Sequence, residues 1–151
     1  MSAVAWPVPE LRGTAPMDAA ERLRDLPGLA LLESARPGRT GRWSFLTADP
    51  VAVLQAPADG PDPFTDAQRL LGRLAGGRPR VPVGAAVAES GSTIPPPFAG
   101  GLVGYLGYDL GRRLERLPSL AVADQELPDL WLAPHDWLLA WDRRTGETWL
   151  A

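Results

Sequence analysis

The 151-residue chain contains no cysteine, no lysine and no asparagine, and only one isoleucine. Without cysteine it has no disulfide, no thiolate metal site and no cysteine nucleophile, which fits a reducing compartment. Without lysine, no side-chain amine is present to act as a nucleophile or to form a Schiff base. All 15 basic residues are therefore arginine; with abundant Ala, Gly and Pro, this reads as GC-rich coding rather than thermal adaptation. Long apolar runs are missing: none approaches the ~18 residues of a membrane helix. The opening residues, MSAVAWPVPELRG, lack the basic start and apolar core of a secretory leader. Positive charge is not in excess. A net charge of −3 argues against a nucleic-acid or anionic-membrane surface. The expectations are no nucleic-acid partner, no membrane association and a cytoplasmic location.

What remains is ordinary globular material, 45% hydrophobic and 22% charged, long enough for one domain with a core. Asp18 is placed to cap a short helix over Ala19–Leu26, stopped by Pro27 and Gly28. GLALLES, 28–34, reads as a buried strand with a polar end. RWSFLTA, 42–48, alternates and reads as a strand paired antiparallel with it, and VAVLQ, 51–55, as a third. Residues 64–75 form an amphipathic helix with leucines at 70, 71 and 74, ended by Gly76 and Gly77. The stretch 76–97, rich in proline and glycine, reads as a linker between subdomains or as the bed of a short strand at Val83–Ala88. DWLLAWDRRTGETWLA, 136–151, reads as a hairpin turning at Thr145 and Gly146.

Residues 97–118, PFAGGLVGYLGYDLGRRLERLP, carry glycines at 100, 101, 104, 107 and 111. They read as strand, turn and short helix, the helix running through Leu110, Leu114 and Leu117 to Pro118. Charges interrupt the small-residue spacing too early for a membrane helix pair. Neither the dinucleotide pattern nor the phosphate-loop pattern is present. The glycines are read as sites of close backbone approach.

Candidate chemistry is sparse. Glu115, Asp124, Glu126, Asp129 and Asp136 are close in sequence but read as a solvated connection and strand ends, not a metal site. His135, the only histidine, reads as structural, and no Ser-His-Asp set is defensible. Asp109, Arg112 and Arg113 read first as an ion-pair network holding a helix to the sheet, and second as a site for an anionic ligand. Trp131, Trp137 and Trp141 read as core or sheet-face aromatics.

Three blocks then carry a resemblance. LLES (31–34) followed by GRWSFLTADP (41–50), the glycine stretch 97–118, and LPDLWLAPHDWLLAWD (127–142) occur in this order. Together they resemble the amino-terminal region of aminodeoxychorismate synthase component I, the large subunit of para-aminobenzoate synthase, with anthranilate synthase component I as the sister family. GYDLGRRLERLP looks more like the para-aminobenzoate branch. The resemblance implies an α+β fold, mainly antiparallel sheet with two or three short helices. It implies that residues 1–151 are an amino-terminal domain, and that the chorismate-binding catalytic region lies downstream of it. Magnesium is expected in the complete enzyme, none in this chain, with ammonia delivered by a glutamine amidotransferase subunit. LLES lies at the tryptophan feedback site of anthranilate synthase, and a similar pocket in the para-aminobenzoate branch can hold tryptophan as a buried ligand. Carried over, Glu33 and Ser34 become the ammonium-binding end of half a tryptophan pocket, with Arg42 and Ser44 on the neighbouring strand. Two readings outside this enzyme class stay open: a free-standing amino-acid-binding module, and a structural remnant of a truncated gene. No catalytic residue is expected within the chain.

Overall fold

The computed structural model describes residues 5–34, 36, 38, 40–76, 94–118 and 126–151. Its elements are β1 (Trp6–Pro7), α1 (Pro16–Arg22), β2 (Ala30–Leu32), β3 (Trp43–Thr47), β4 (Leu54–Ala56), α2 (Pro63–Gly76), β5 (Gly101–Leu106), β6 (Leu130–His135), β7 (Leu139–Asp142) and β8 (Glu147–Leu150). Short 3-10 helices cover Pro9–Leu11 and Tyr108–Arg113. The fold is α+β, as expected. Its strands form two antiparallel sheets, a five-stranded one ordered β1-β8-β7-β3-β2 and a three-stranded one ordered β4-β6-β5. No helix among the described residues is long and apolar enough to cross a membrane.

Alternation along β3 feeds both faces of the larger sheet. Leu46 and Trp141 pack with Ala19 and Ala20 of α1 on one face. Trp43, Phe45, Ala140 and Trp149 face the other way, toward Phe98, which meets Phe45 edge-on at 5.8 Å. The β2–β3 pairing (Leu32 opposite Phe45) and the β7–β8 hairpin (Trp141 opposite Thr148) follow the sequence pattern. Helix α2 lies against the smaller sheet. Asp62 caps it: its carboxylate accepts hydrogen bonds from the Thr65 hydroxyl at 2.8 Å and from the backbone N–H of Phe64 and Thr65 at 3.0 and 3.2 Å. The Thr65 hydroxyl and the Phe64 N–H together hold that carboxyl below its ordinary range.

Three elements differ from expectation. Helix α1 begins at Pro16 rather than after Asp18, because the fixed φ of proline suits a first helical position; Asp18 sits inside the first turn. The strand expected at 51–55 lies at Leu54–Ala56 and belongs to the smaller sheet, paired with β6. The chain leaves the first sheet at Asp49, whose φ of 52° breaks the extended run, and Val51 N–H then bonds to the carbonyl of Pro134. The helix expected up to Pro118 is a 3-10 helix ending at Arg113: Leu110 is buried but Leu114 is 86% exposed, so no continuous apolar face anchors a longer helix. Trp141 is buried as expected, and Trp131 and Trp137 are half-buried. The strand proposed at Val83–Ala88, most of the linker 76–97 and Asp124 lie outside the described residues.

Close approach is visible at Gly104, opposite Leu132 of β6. A Cβ there would collide with the Trp131 carbonyl oxygen and the Leu132 Cα, both backbone atoms that cannot move aside cheaply. Gly72 of α2, by contrast, has open space around it. Gly104→Ala is therefore expected to destabilise the protein by about 3 kcal/mol or more, at the upper end of ordinary single substitutions. Gly72→Ala should stabilise it by about 0.5–1 kcal/mol through helix propensity. Thermal melts of the two variants check the contrast; equal shifts would refute it.

Candidate functional site

β2 ends at Leu32, so Glu33 and Ser34 extend past the sheet beside the start of β3. The Ser34 N–H points at the Ser44 hydroxyl oxygen, 3.4 Å away, a long contact, and Ser44 itself is fully buried. On the other side of β3, Trp43 stands opposite Asp142 of β7. That register sets Arg42 against the Asp142 carboxylate in a two-pronged bond, Nε to Oδ1 at 2.9 Å and Nη2 to Oδ2 at 2.6 Å. The Arg144 backbone N–H adds a third donor at 2.9 Å. Arg42 also lies over the Trp43 ring, 5.1 Å from its centroid. The next residue, Arg143, donates its backbone N–H to the Arg42 carbonyl and turns its guanidinium toward Glu33, Nη2 to Oε1 at 3.7 Å. Glu33, Ser34, Arg42 and Ser44 are thus brought together at one end of β2, β3 and β7, joined by Asp142 and Arg143.

The electrostatics separate a tight pair from a loose one. Burial pushes the Asp142 carboxyl up, but the Arg42 hydrogen bonds, the Arg144 N–H and the Arg42 charge outweigh it and hold the group below the ordinary carboxylate range. Asp142 raises Arg42 in turn, mainly through the side-chain hydrogen bond. The Glu33–Arg143 pair is half-exposed on both sides and longer than a hydrogen bond.

Asp109, Arg112 and Arg113 lie elsewhere, after β5. Arg112 pairs with Asp109 at 3.1 Å within its own 3-10 helix. Arg113 donates to three carbonyls, Pro57 and Pro61 at 3.0 Å and Gly60 at 2.9 Å, and so ties that helix to the β4–α2 loop through backbone oxygens. Asp129 accepts the Ala58 N–H and borders an open groove of about 410 Å³ with Gln55, Pro57 and Glu126. His135 is buried with Nδ1 3.4 Å from the Ala48 carbonyl, and burial lowers its pKa. Among the described residues no three His, Cys, Asp or Glu side chains gather as a metal site.

Asp142 and Arg143 escaped the sequence analysis. The available signal was Arg42 and Asp142 closing two aromatic strands, but those two sit a hundred residues apart, and only the strand register matches them.

Comparison with known proteins gives consistent matches. The chain is 37% identical over 137 residues to anthranilate synthase component 1 of Mycolicibacterium smegmatis, covering 87% of this chain and 26% of that protein. It is 38% identical over 133 residues to the protein of the same name from Mycobacterium tuberculosis, covering 78% of this chain and 24% of the relative. It is 53% identical over 51 residues to aminodeoxychorismate synthase component 1 of Klebsiella aerogenes, covering 34% of this chain and 11% of the relative. The chain thus spans about a quarter of the length of the first two curated relatives. No family model matches it.

The buried acids and bases predict a two-step loss of stability on acidification. The folded pKa of His135 is depressed, so below its unfolded value of about 6.5 only the unfolded chain gains the proton, and stability falls. The folded pKa of Asp142 is also depressed, so its contribution is complete above about 3.9 and is lost as pH falls through the lower folded value. His135→Gln should remove the first step and Asp142→Asn the second. Asp142→Asn should also cost about 3 kcal/mol at neutral pH, because it leaves Arg42 without its buried partner. Denaturant titrations of the three proteins at pH 7.5, 5 and 3 test this; parallel pH profiles would refute it.

Proposed function

We propose that this chain, a homologue of the amino-terminal region of the component 1 family of anthranilate and aminodeoxychorismate synthases, is the non-catalytic, amino-acid-binding domain of a chorismate-aminating synthase subunit. In this reading the complete protein forms 4-amino-4-deoxychorismate on the way to para-aminobenzoate and folate, in the cytoplasm. It takes ammonia from a glutamine amidotransferase subunit and uses magnesium held by residues outside this chain. The observation that carries the binding role is the gathering of Glu33 and Ser34 with Arg42 and Ser44 at one sheet end.

The residues divide the task by exposure. Glu33 offers a half-exposed carboxylate to the ammonium of bound L-tryptophan, and Ser34 a hydroxyl beside it. Ser44 is fully buried, so its part is to hold the Ser34 backbone in place. The guanidinium of Arg42 is committed to Asp142, so its part is to fix the strand ends on which Glu33 and Arg143 sit.

A second reading, formation of anthranilate with tryptophan as feedback inhibitor, is favoured by the length of the matches. The mycobacterial anthranilate synthases align over most of the chain, whereas the higher identity to aminodeoxychorismate synthase covers a third of it. Incubating the complete protein with chorismate, magnesium and glutamine plus the amidotransferase subunit, then resolving the products, separates the two. Fluorescent anthranilate as sole product would replace the first reading by the second.

Two outcomes are expected. The 151-residue chain alone should not convert chorismate with either glutamine or ammonia, and aminodeoxychorismate or anthranilate above background would overturn the non-catalytic assignment. In the complete protein, stripped of carried-over ligand, Ser34→Ala should weaken L-tryptophan binding by roughly ten- to a hundredfold, the effect of losing one charge-assisted hydrogen bond. Calorimetric titration measures this, and equal affinities would remove Ser34 from the site.

A further inference from the structure

The Glu33–Arg143 pair differs from every stabilising ion pair around it. Its 3.7 Å separation exceeds a hydrogen bond, and both side chains are partly open to water, at 27% and 33% of their surface. An exposed pair of this kind contributes little to stability. Among the described residues no other hydrogen bond or ion pair engages the Glu33 carboxylate or the Arg143 guanidinium. A carboxylate with free lone pairs and a guanidinium with a free planar fork therefore face the same space with their hydrogen-bonding capacity almost unused. Neighbouring Arg42 cannot play this part, since Asp142 holds its fork at 2.6 and 2.9 Å.

We infer that Arg143 is a ligand-binding residue that receives the α-carboxylate of the bound amino acid while Glu33 receives its ammonium, so that the pair recognises the zwitterion. This rests on the amino-acid pocket proposed above and adds to it the group that selects a free α-amino acid. The geometry closes without rearrangement. An α-amino acid presents its ammonium nitrogen and a carboxylate oxygen about 3 Å apart, as its bond lengths dictate. Charge-assisted bonds of about 2.8 Å from each to Glu33 and Arg143 complete a four-sided figure whose remaining side is the observed gap. That gap is 3.7 Å. One loose, water-screened pair is thereby exchanged for two short ones. The β7–β8 turn supports the placement: the Arg143 N–H is held by the Arg42 carbonyl and the Arg144 N–H by Asp142, so the guanidinium departs from an anchored backbone.

The test titrates the complete protein, freed of endogenous ligand, with L-tryptophan and with tryptamine, which keeps the ammonium and indole but lacks the carboxylate. Arg143→Gln is expected to weaken L-tryptophan by at least tenfold and to leave tryptamine unchanged or tighter, because Glu33 loses a competing cation. Arg143→Lys, which keeps the charge but not the fork, should give an intermediate loss for L-tryptophan. It also serves as the readout if Arg143→Gln fails a circular-dichroism check of folding. Unchanged L-tryptophan affinity in a folded variant, with binding to the wild type intact, would overturn the role of Arg143 and leave the pocket standing. Equal losses for L-tryptophan and tryptamine would overturn carboxylate recognition. No binding of L-tryptophan to the wild type would overturn the pocket and this inference together.

Discussion

The Asp142 carboxylate is the constraint on which the site depends. It is almost wholly removed from water, a costly placement for a charge unless hydrogen-bond donors surround it. Two nitrogens of Arg42 and the Arg144 N–H supply them. Those donors come from opposite directions, one from the start of β3 and one from the turn after β7, so the pair locks the register of two strands distant in sequence. A one-residue slip would leave the carboxylate buried without partners and turn each side chain of the strand to the wrong face. The positions of Glu33, Ser34 and Arg143 all follow from that register. The strong pair is structural, and the weak pair beside it is the one free to exchange partners.

Legibility in the sequence tracked the range of the interaction that decided each element. The β7–β8 hairpin and α2 were legible because turn residues and apolar periodicity act within a few residues. The β2–β3 pairing was legible because Trp43 and Phe45 alternate with buried Ser44 and Leu46. The split into two sheets was not. It turns on the left-handed Asp49 and on Val51 reaching the Pro134 carbonyl, features that no local pattern carries. Three leucines at helical spacing promised a helix after β5, yet the middle one, Leu114, faces water, and only Leu110 is fully buried. At the site, the resemblance brought Glu33 and Ser34 forward, while Asp142 and Arg143 needed the register to become visible.

Polar contacts join the two sheets where the chain passes between them. The Thr47 hydroxyl bonds to the Trp137 carbonyl at 2.6 Å, His135 Nδ1 lies by the Ala48 carbonyl, and the Val51 N–H meets Pro134. Each pairs the end of β3 or the residues just after it with the stretch around the end of β6. Such bonds are directional, whereas apolar packing tolerates sliding. They therefore fix the angle between the sheets as well as their contact, and Gly104 of β5 lets its backbone lie close to β6.

The larger sheet places Trp6 opposite Leu150, with β1 added to the free side of β8. Its first strand and its last are neighbours, so the sheet cannot be finished until β8 has been made. On a ribosome adding roughly 5–20 residues per second, β1 waits roughly 7–28 seconds for β8 to be made. During that interval the earliest segment has only α1 and the β2–β3 pair as company, and the aromatic face of β3 is without Ala140 and Trp149. Until β8 arrives, the nascent chain thus carries an open sheet edge, a state exposed to wrong pairing.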